Sequence, residues 1–392
     1  MKVLSLGGGI WQLGLLQALD RLGFDSAVID INPNCPGRHA AKEFVQGDTS
    51  DLPTVIHAAR SLGVDFVIAE QSDRFVRVAS RVNHALQLPG VMPNVADRFT
   101  DKSQMRQLLL GKVPMPDFQV VHLLSQALAF GERVGYPLVI KPKSSQSSYG
   151  VFKVNNPQDL KDRFNECLAF STDGELLLES FVDGIEVTVE GLSINGQFHA
   201  LAVSEKEHYA FNPCVAKRLS YPPTSFDSTT LSRIVETAAT VVGTLGLDTG
   251  LSHAEYRVKN EIPYLVEVAA RGGGTQIAAK ILPHICQFSP YDLMLRQLAG
   301  EFVSVPTPAG RSAVLMFLEF EPGLVKKIHG IDKLIEEGVA EEISLAFREG
   351  SEIVRPQDDT QRLGYALVFG ENRADVDSRC QRIKDAITLE YE

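Results

Sequence analysis

The chain has 392 residues, of which 44% are hydrophobic and 22% charged, with a formal net charge of -11. That length calls for two or three domains, and the composition excludes a disordered chain. The acidic balance excludes a surface built for a nucleic-acid backbone, yet leaves room for a small basic pocket that takes an anionic nucleotide.

The first apolar run, residues 2–6, ends at Gly7-Gly8-Gly9 and is followed by a helical pattern in Leu13, Leu15, Leu16, Ala18 and Leu19. It lacks the h-region of a signal peptide, and no uncharged run in the chain is long enough to span a bilayer, so the cytoplasm is expected and a membrane partner is not. A second run, Ala27–Ile29, ends in Asp30. After a loop and a helix-like stretch, Val64–Ala69 predicts a third strand ending at Glu70. Alternating strands and helices predict a parallel sheet with helices on its faces, over residues 1–95. The glycines together with Asp30 suggest a dinucleotide turn, but G-x-G-x-x-G needs glycine where Gln12 stands. A tight strand-to-helix turn without NAD is favoured, with the Glu70–Asp73 strand end as the place for a small ligand.

Pro89-Gly90 and Pro93-Asn94 mark a boundary, and a helix is predicted over 97–110. Strands follow at Phe118–Val121, Leu138–Lys141, Val151–Val154, Leu176–Glu179, Glu186–Leu192 and from Phe198. Pro213, Pro222 and Pro223 predict a long loop, with Lys206, His208 and Arg218 beside it as solvated loop residues or substrate contacts. A helix over 228–246 leads to strands 251–258 and 263–269, joined by a connection short enough for a hairpin. Beyond Pro306 and Pro308 come Val314–Phe320, a helix near 331–336 and Tyr365–Phe369. The five cysteines include no C-x-x-C, so neither a disulfide framework nor a thiolate zinc site is signalled.

Four features carry chemistry. Asp101-Lys102-Ser103 opens a helix, and Leu138-Val139-Ile140-Lys141 ends a buried strand ahead of the small-residue loop Ser144–Gly150. Ammonium groups and close backbone approach both suit phosphate oxygens. In Leu178-Glu179-Ser180-Phe181-Val182-Asp183-Gly184-Ile185-Glu186 an apolar strand leads to one acid, a turn and a second acid. Backbone around Phe181 and Val182 suits an adenine edge, and Glu186 suits ribose hydroxyls. Glu255 and Glu267 lie on the two strands of the predicted hairpin, where facing carboxylates call for a cation, and hard oxygen ligands favour magnesium. Arg271 precedes Gly272-Gly273-Gly274 and an apolar helix pattern, either a helix-entry turn or an anion site beside a guanidinium.

In order and spacing these features resemble the ATP-grasp superfamily, and the Arg-Gly-Gly stretch is similar to that of the L-amino acid (dipeptide) ligases. The resemblance implies mixed α/β and α+β architecture. It divides the chain into a parallel α/β pre-ATP-grasp domain (1–95), an ATP-grasp domain (96–305) with a mobile lid subdomain (about 115–190), and a small C-terminal α+β domain (306–392) that completes the grasp. It implies that Lys102, Lys141, Ser147 and Ser148 hold ATP phosphates, Glu179 and Val182 meet the adenine, and Glu186 meets the ribose. Glu255 and Glu267 bind Mg2+, with Mn2+ as a substitute. Arg271, as the catalytic cation, with Gly273 and Gly274, holds the substrate carboxylate or acyl phosphate. Two departures stand out: Ala269 replaces the usual asparagine ligand, and the phosphate loop is serine-rich.

The implied reaction activates a carboxylate, expected to be an amino acid's, as an acyl phosphate and couples it to an amine, releasing ADP and phosphate. Its partners are small-molecule carboxylate and amine substrates and a second copy of the chain in a dimer. The alternatives are a carboxylase-like or purine-pathway ATP-grasp enzyme, or a nucleotide-binding protein without turnover.

Overall fold

Apolar runs that stop at a glycine or an acid form parallel strands in the computed structural model, which describes residues 1–144 and 149–392. Strands β1 (Lys2–Leu6), β2 (Asp25–Asp30), β3 (Glu43–Gln46) and β4 (Phe66–Ile68) lie in the order β3-β2-β1-β4, all parallel. The Val64–Ala69 run is thus the fourth strand. The unpredicted β3, Glu-Phe-Val-Gln, is short, half-exposed and at the sheet edge, so it has no buried apolar run to announce it.

The helix predicted over 97–110 is two helices, Pro93–Thr100 and Lys102–Leu109. Asp101 stands between them in extended conformation, and its carboxylate accepts from the amides of Ser103 (2.9 Å) and Gln104 (3.1 Å). An N-cap of this kind ends one helix and starts the next. Beyond it, β5 (Phe118–Val121), β6 (Leu138–Pro142), β7 (Phe152–Val154) and β8 (Leu176–Ser180) form a small antiparallel sheet, β5-β8-β6-β7. Its helices Leu124–Val134 and Pro157–Leu168 close a separate core around Phe130, Ile140, Phe164 and Leu178.

The remaining strands are β9 (Ile185–Ile194), β10 (Gln197–Tyr209), β11 (Asn212–Tyr221), β12 (Gly250–Lys259), β13 (Ile262–Ala269), β14 (Ser312–Phe317), β15 (Gly323–His329), β16 (Glu342–Leu345), β17 (Glu352–Ile353), β18 (Gly364–Gly370) and β19 (Thr388–Tyr391). Eight of them make one sheet in the order β13-β12-β9-β10-β11-β14-β18-β16, and β17-β15-β19 make a smaller one. Of the strands after residue 306, β14, β18 and β16 therefore continue the central sheet. The long loop expected around Pro213 is instead strand β11. Pro213 has no ladder partner there, because the β10–β11 register is irregular at His208, so its missing N–H costs no sheet hydrogen bond. Lys206 and His208 consequently stand on β10 and Arg218 on β11. Among the described residues no helix is long and apolar enough to cross a membrane.

Candidate active site

A cavity of about 590 Å³ runs between the small antiparallel sheet, the central sheet and the C-terminal strands. One end is an apolar slot with Val139 and Val151 on one side and Leu265 and Val266 on the other. Phe181 and Val182 also line it, and Phe181 lies beneath the cations Lys153 (3.9 Å to the ring centre) and Arg257 (4.9 Å). A flat, aromatic-sized base suits this slot.

Lys141, at the end of β6, and Glu179, on neighbouring β8, are buried together with Arg106 of the helix Lys102–Leu109. Glu179 accepts from Arg106 Nε (2.8 Å) through Oε1 and from Lys141 Nζ (2.7 Å) through Oε2. Arg106 also donates to the Val266 carbonyl (2.7 Å), tying this helix to the hairpin β12–β13. Burial opposes ionisation of Glu179, but Arg106 and Lys141 outweigh it and hold its carboxyl below the usual range. Burial pulls Lys141 below the ordinary lysine value, against the attraction of Glu179. Each Glu179 oxygen thus accepts from a buried cation, and the side chain braces Lys141. Removing one member of such a buried set leaves an uncompensated charge, which costs about 3–5 kcal/mol.

Glu255 and Glu267 stand directly opposite each other across the hairpin, as expected. Both face the cavity, with side chains 23% and 28% exposed. Each is held by an ammonium: Lys206 Nζ lies 2.7 Å from Glu255, and Lys102 Nζ lies 3.2 Å from Glu267. Lys206 also bonds Glu186 (2.9 Å), which further contacts Arg257 (2.9 Å) and His208 (3.3 Å). Burial opposes charge on Glu186, yet Lys206 and His208 hold it well below the ordinary carboxylate range.

His253, two residues before Glu255 on the same strand face, bridges the buried Glu190 (2.7 Å) and Glu255 (3.2 Å). Burial disfavours its charged form, but the two carboxylates raise its pKa to about 9. Two partly open carboxylates, each neutralised by a cation, form a donor set that fits a hard divalent ion. Ala269 lines the cavity and offers no ligand, and no cluster of three or more metal-ligating side chains occurs among the described residues. A metal here would take its remaining oxygens from substrate or water.

After β13 the chain turns through Arg271–Gly274. Arg271 lines the cavity, with Nε and Nη2 on the two oxygens of Asp73 (2.6 and 3.4 Å) from the N-terminal part. Gly272 N–H donates to the buried Glu70 (3.0 Å), whose pKa burial raises to about 7 against the pull of that N–H and of Arg271. Gln71 donates to the Gly273 carbonyl (3.1 Å). The expected α-helical entry is replaced by a π-turn, Ile277–Ile281, preceded by Thr275 and Gln276 at positive φ (48° and 65°). Non-glycine residues in that region carry backbone strain, which clusters at functional sites.

The cavity thus gathers Lys102, Lys141, Glu179, Val182, Glu186, Glu255, Glu267, Arg271 and Gly274. Gly273 lies beneath it: a β-carbon there would stand 2.9 Å from Glu190 Oε2 and 3.0 Å from His253 Nδ1. Ser147 and Ser148 fall outside the described residues. Sequence reasoning passed over Arg106, His253 and Glu190, reached Asp73 only as part of a ligand-binding strand end, and weighed Lys206 mainly as a loop residue. The i, i+2 relation of His253 to Glu255 was a usable signal.

The N-terminal glycines belong to a different kind of place. Gly8 N–H donates to Asp30 (2.8 Å), and Gly37 N–H donates to the Gly8 carbonyl (2.7 Å). A β-carbon on Gly8 would meet Cys35 Sγ and Val28 Cγ1 at 2.7 Å each. Asp30 is spent on the turn itself.

Two family patterns match the chain: "ATP-grasp domain" over residues 134–279 and "L-amino acid ligase C-terminal domain 2" over residues 316–392. The formate-dependent phosphoribosylglycinamide formyltransferase of Cupriavidus metallidurans is 27% identical over 98% of this chain and 94% of its own. Two solved structures share the fold. L-amino acid ligase from Bacillus licheniformis has a TM-score of 0.84 at 21% identity, covering 100% of this chain and 98% of its own. N5-carboxyaminoimidazole ribonucleotide synthetase from Thermotoga maritima has a TM-score of 0.75 at 20% identity, covering 100% and 99%.

Proposed function

Since the chain belongs to the ATP-grasp ligases, ATP- and magnesium-dependent enzymes that form carbon–nitrogen bonds, we propose that it couples the carboxylate of an amino acid to the amine of a second one. The observation that carries this reading is the Glu255–Glu267 pair, opposed across a hairpin and paired with Lys206 and Lys102, in one cavity with the Arg271–Gly274 turn. The choice of amino acids over other carboxylates rests on the L-amino acid ligase pattern over residues 316–392, which supplies several strands of the cavity wall.

In this reading the apolar slot seats the adenine, with Lys141 and Lys102 on the phosphates. Glu255 and Glu267 would hold magnesium, which supplies charge neutralisation at phosphate oxygens. A carboxylate oxygen of the first substrate attacks the γ-phosphorus, and the bond to ADP breaks. The amine nitrogen then attacks the acyl carbon, phosphate leaves with the bonding electrons, and the nitrogen loses a proton. Such chemistry needs positioning and electrostatic stabilisation more than a protein nucleophile. Arg271, aimed by Asp73, offers its remaining donor edge to the carboxylate.

The test is ADP and phosphate release with Mg-ATP across pairs of amino acids, with products identified by mass spectrometry and Glu267→Gln as control. Pair-dependent release with a condensed product, lost in the control, is expected. ATP binding without release for any pair sinks the proposal. The full-length likeness to the formyltransferase supports a second reading, formate or another small carboxylate joined to a phosphorylated amine, which the same assay tests with formate.

A further inference from the structure

Beyond the Gly274–Thr275 turn the cavity changes character. Its wall there is built by Trp11 from the turn after β1, Ile277 from the π-turn, Leu315 and Phe317 from β14, and Tyr365 from β18. Trp11 and Tyr365 pack with ring centres 5.9 Å apart, tilted by 49°. The Tyr365 hydroxyl donates to Glu342 (2.5 Å), so the residue contributes its ring to the wall. This end begins close to the chemistry: the β-carbon position on Gly273 is 3.0 Å from His253 Nδ1 and also 3.0 Å from Ile277 Cγ2.

A basic residue is present here too, but it is occupied. Arg362 donates through Nε to the Ala216 carbonyl (3.2 Å) and through Nη2 to Asp359 (2.6 Å), and its guanidinium carbon sits 3.6 Å over the Phe317 ring. Asp359 balances its charge, and a phosphate placed here would have to break that pair. An apolar group would displace water from rings and aliphatic side chains at no such cost.

We propose that this end of the cavity receives the apolar side chain, larger than a methyl group, of one amino-acid substrate, and that Trp11 is a specificity-determining residue in contact with it. The inference rests on the amino-acid ligase reading above. Each added methylene buried in such a pocket discriminates by about 4-fold, so the four carbons that leucine adds to glycine favour it by roughly 100-fold or more in kcat/KM when they are covered, with methionine and phenylalanine alike.

The experiment measures kcat and KM for amino-acid-dependent ADP release with L-leucine, L-methionine, L-phenylalanine, glycine, L-aspartate and L-lysine. It uses wild type, Trp11→Ala and Ala346→Phe, because Ala346 lines the same end and is exposed. Melting curves with Mg-ADP and each amino acid are run in parallel on all three proteins. The expected result is an apolar preference over glycine of roughly 100-fold or more in wild type. Trp11→Ala should collapse it through a raised KM for leucine and methionine with kcat little changed. Ala346→Phe should penalise phenylalanine more than glycine. Amino-acid-dependent release with no apolar preference, or a preference that both variants leave intact, overturns the pocket assignment and leaves the ligase reading standing. If no amino acid drives ADP release or raises the melting temperature, while formate with a phosphorylated amine does, both fall.

Discussion

Two glycine turns follow a strand and lead into a helical segment in this molecule, Gly7–Gly9 and Gly272–Gly274, and they have opposite uses. In the first, Gly7 takes a positive φ (89°) and Gly8 has room for no side chain, because Cys35, Val28 and Gly37 press against it. In the second, Glu190, His253 and Glu70 crowd the glycines alongside Ala278, Leu251 and Ile277, and the same turn carries Arg271 into the cavity. The lesson is that a glycine cluster reports close approach, and the chemistry of what approaches decides its meaning.

The contrast can be broken from either side, and the largest effect lies at the second turn. Arg271→Ala should lower kcat/KM for ADP release by about 1,000-fold, the scale for a cation that stabilises developing charge. The folded yield should fall far less, since Asp73 is itself only part-buried. Equal losses in yield and turnover would make Arg271 a strut. Gly273→Ala comes next. Its β-carbon would push on Glu190 Oε2 and His253 Nδ1 and so displace the Glu255 partner, with about a 100-fold fall in turnover. Unchanged kinetics would show that the turn tolerates a side chain and would dissolve the comparison.

A smaller signature is thermodynamic. The folded pKa of Glu70, about 7, lies above its ordinary 4.5, so between those values the folded chain keeps a proton that the unfolded chain releases. Stability should therefore fall as pH rises from 4.5 to 7, with the loss complete above 7 and absent below 4.5. From pH 5 to 6.5 the difference amounts to about 2 kcal/mol. Melting curves of wild type and Glu70→Gln across that range check it, and parallel slopes in the two proteins would refute it. On turnover the least effect belongs to Gly8→Ala. It should cost about 2 kcal/mol of stability by overpacking, while the folded fraction keeps its kcat within about twofold. A large kcat loss at unchanged melting temperature would give the first turn a ligand after all.

Much of this was legible in the sequence where a local signal coincided with a tertiary role. Glu255 and Glu267 could be put on facing strands because a short connection makes a hairpin, whereas their direct opposition depends on an irregularity between Glu255 and Tyr256 that alternation does not announce. Lys141 was visible as a charge ending an apolar strand. What stayed hidden depended on distant partners. The bond from Glu179 to Arg106 joins β8 to a helix some seventy residues earlier, and no local pattern announces it. Lys206 was obscured by prolines, which a bulged hairpin accommodates without losing ladder bonds. Trp11 has as its ring partner Tyr365, near the other end of the chain, and no window of local pattern connects them.

The central sheet has a seam. Residues 301–311, between the helix ending at Leu298 and β14, carry neither helix nor strand, and the sheet resumes across them through the pairing of Arg218–Tyr221 with Ala313–Met316. On one side lie Glu255, Glu267, Lys102 and Lys141, and on the other the greater part of the apolar wall. Recombination at this junction would exchange Leu315, Phe317 and Tyr365 and leave Trp11, Ile277 and the carboxylate pair in place, provided the incoming β14 keeps its register. Exchanging the last eighty residues should thus shift the choice of side chain only in part, because Trp11 stays with the recipient.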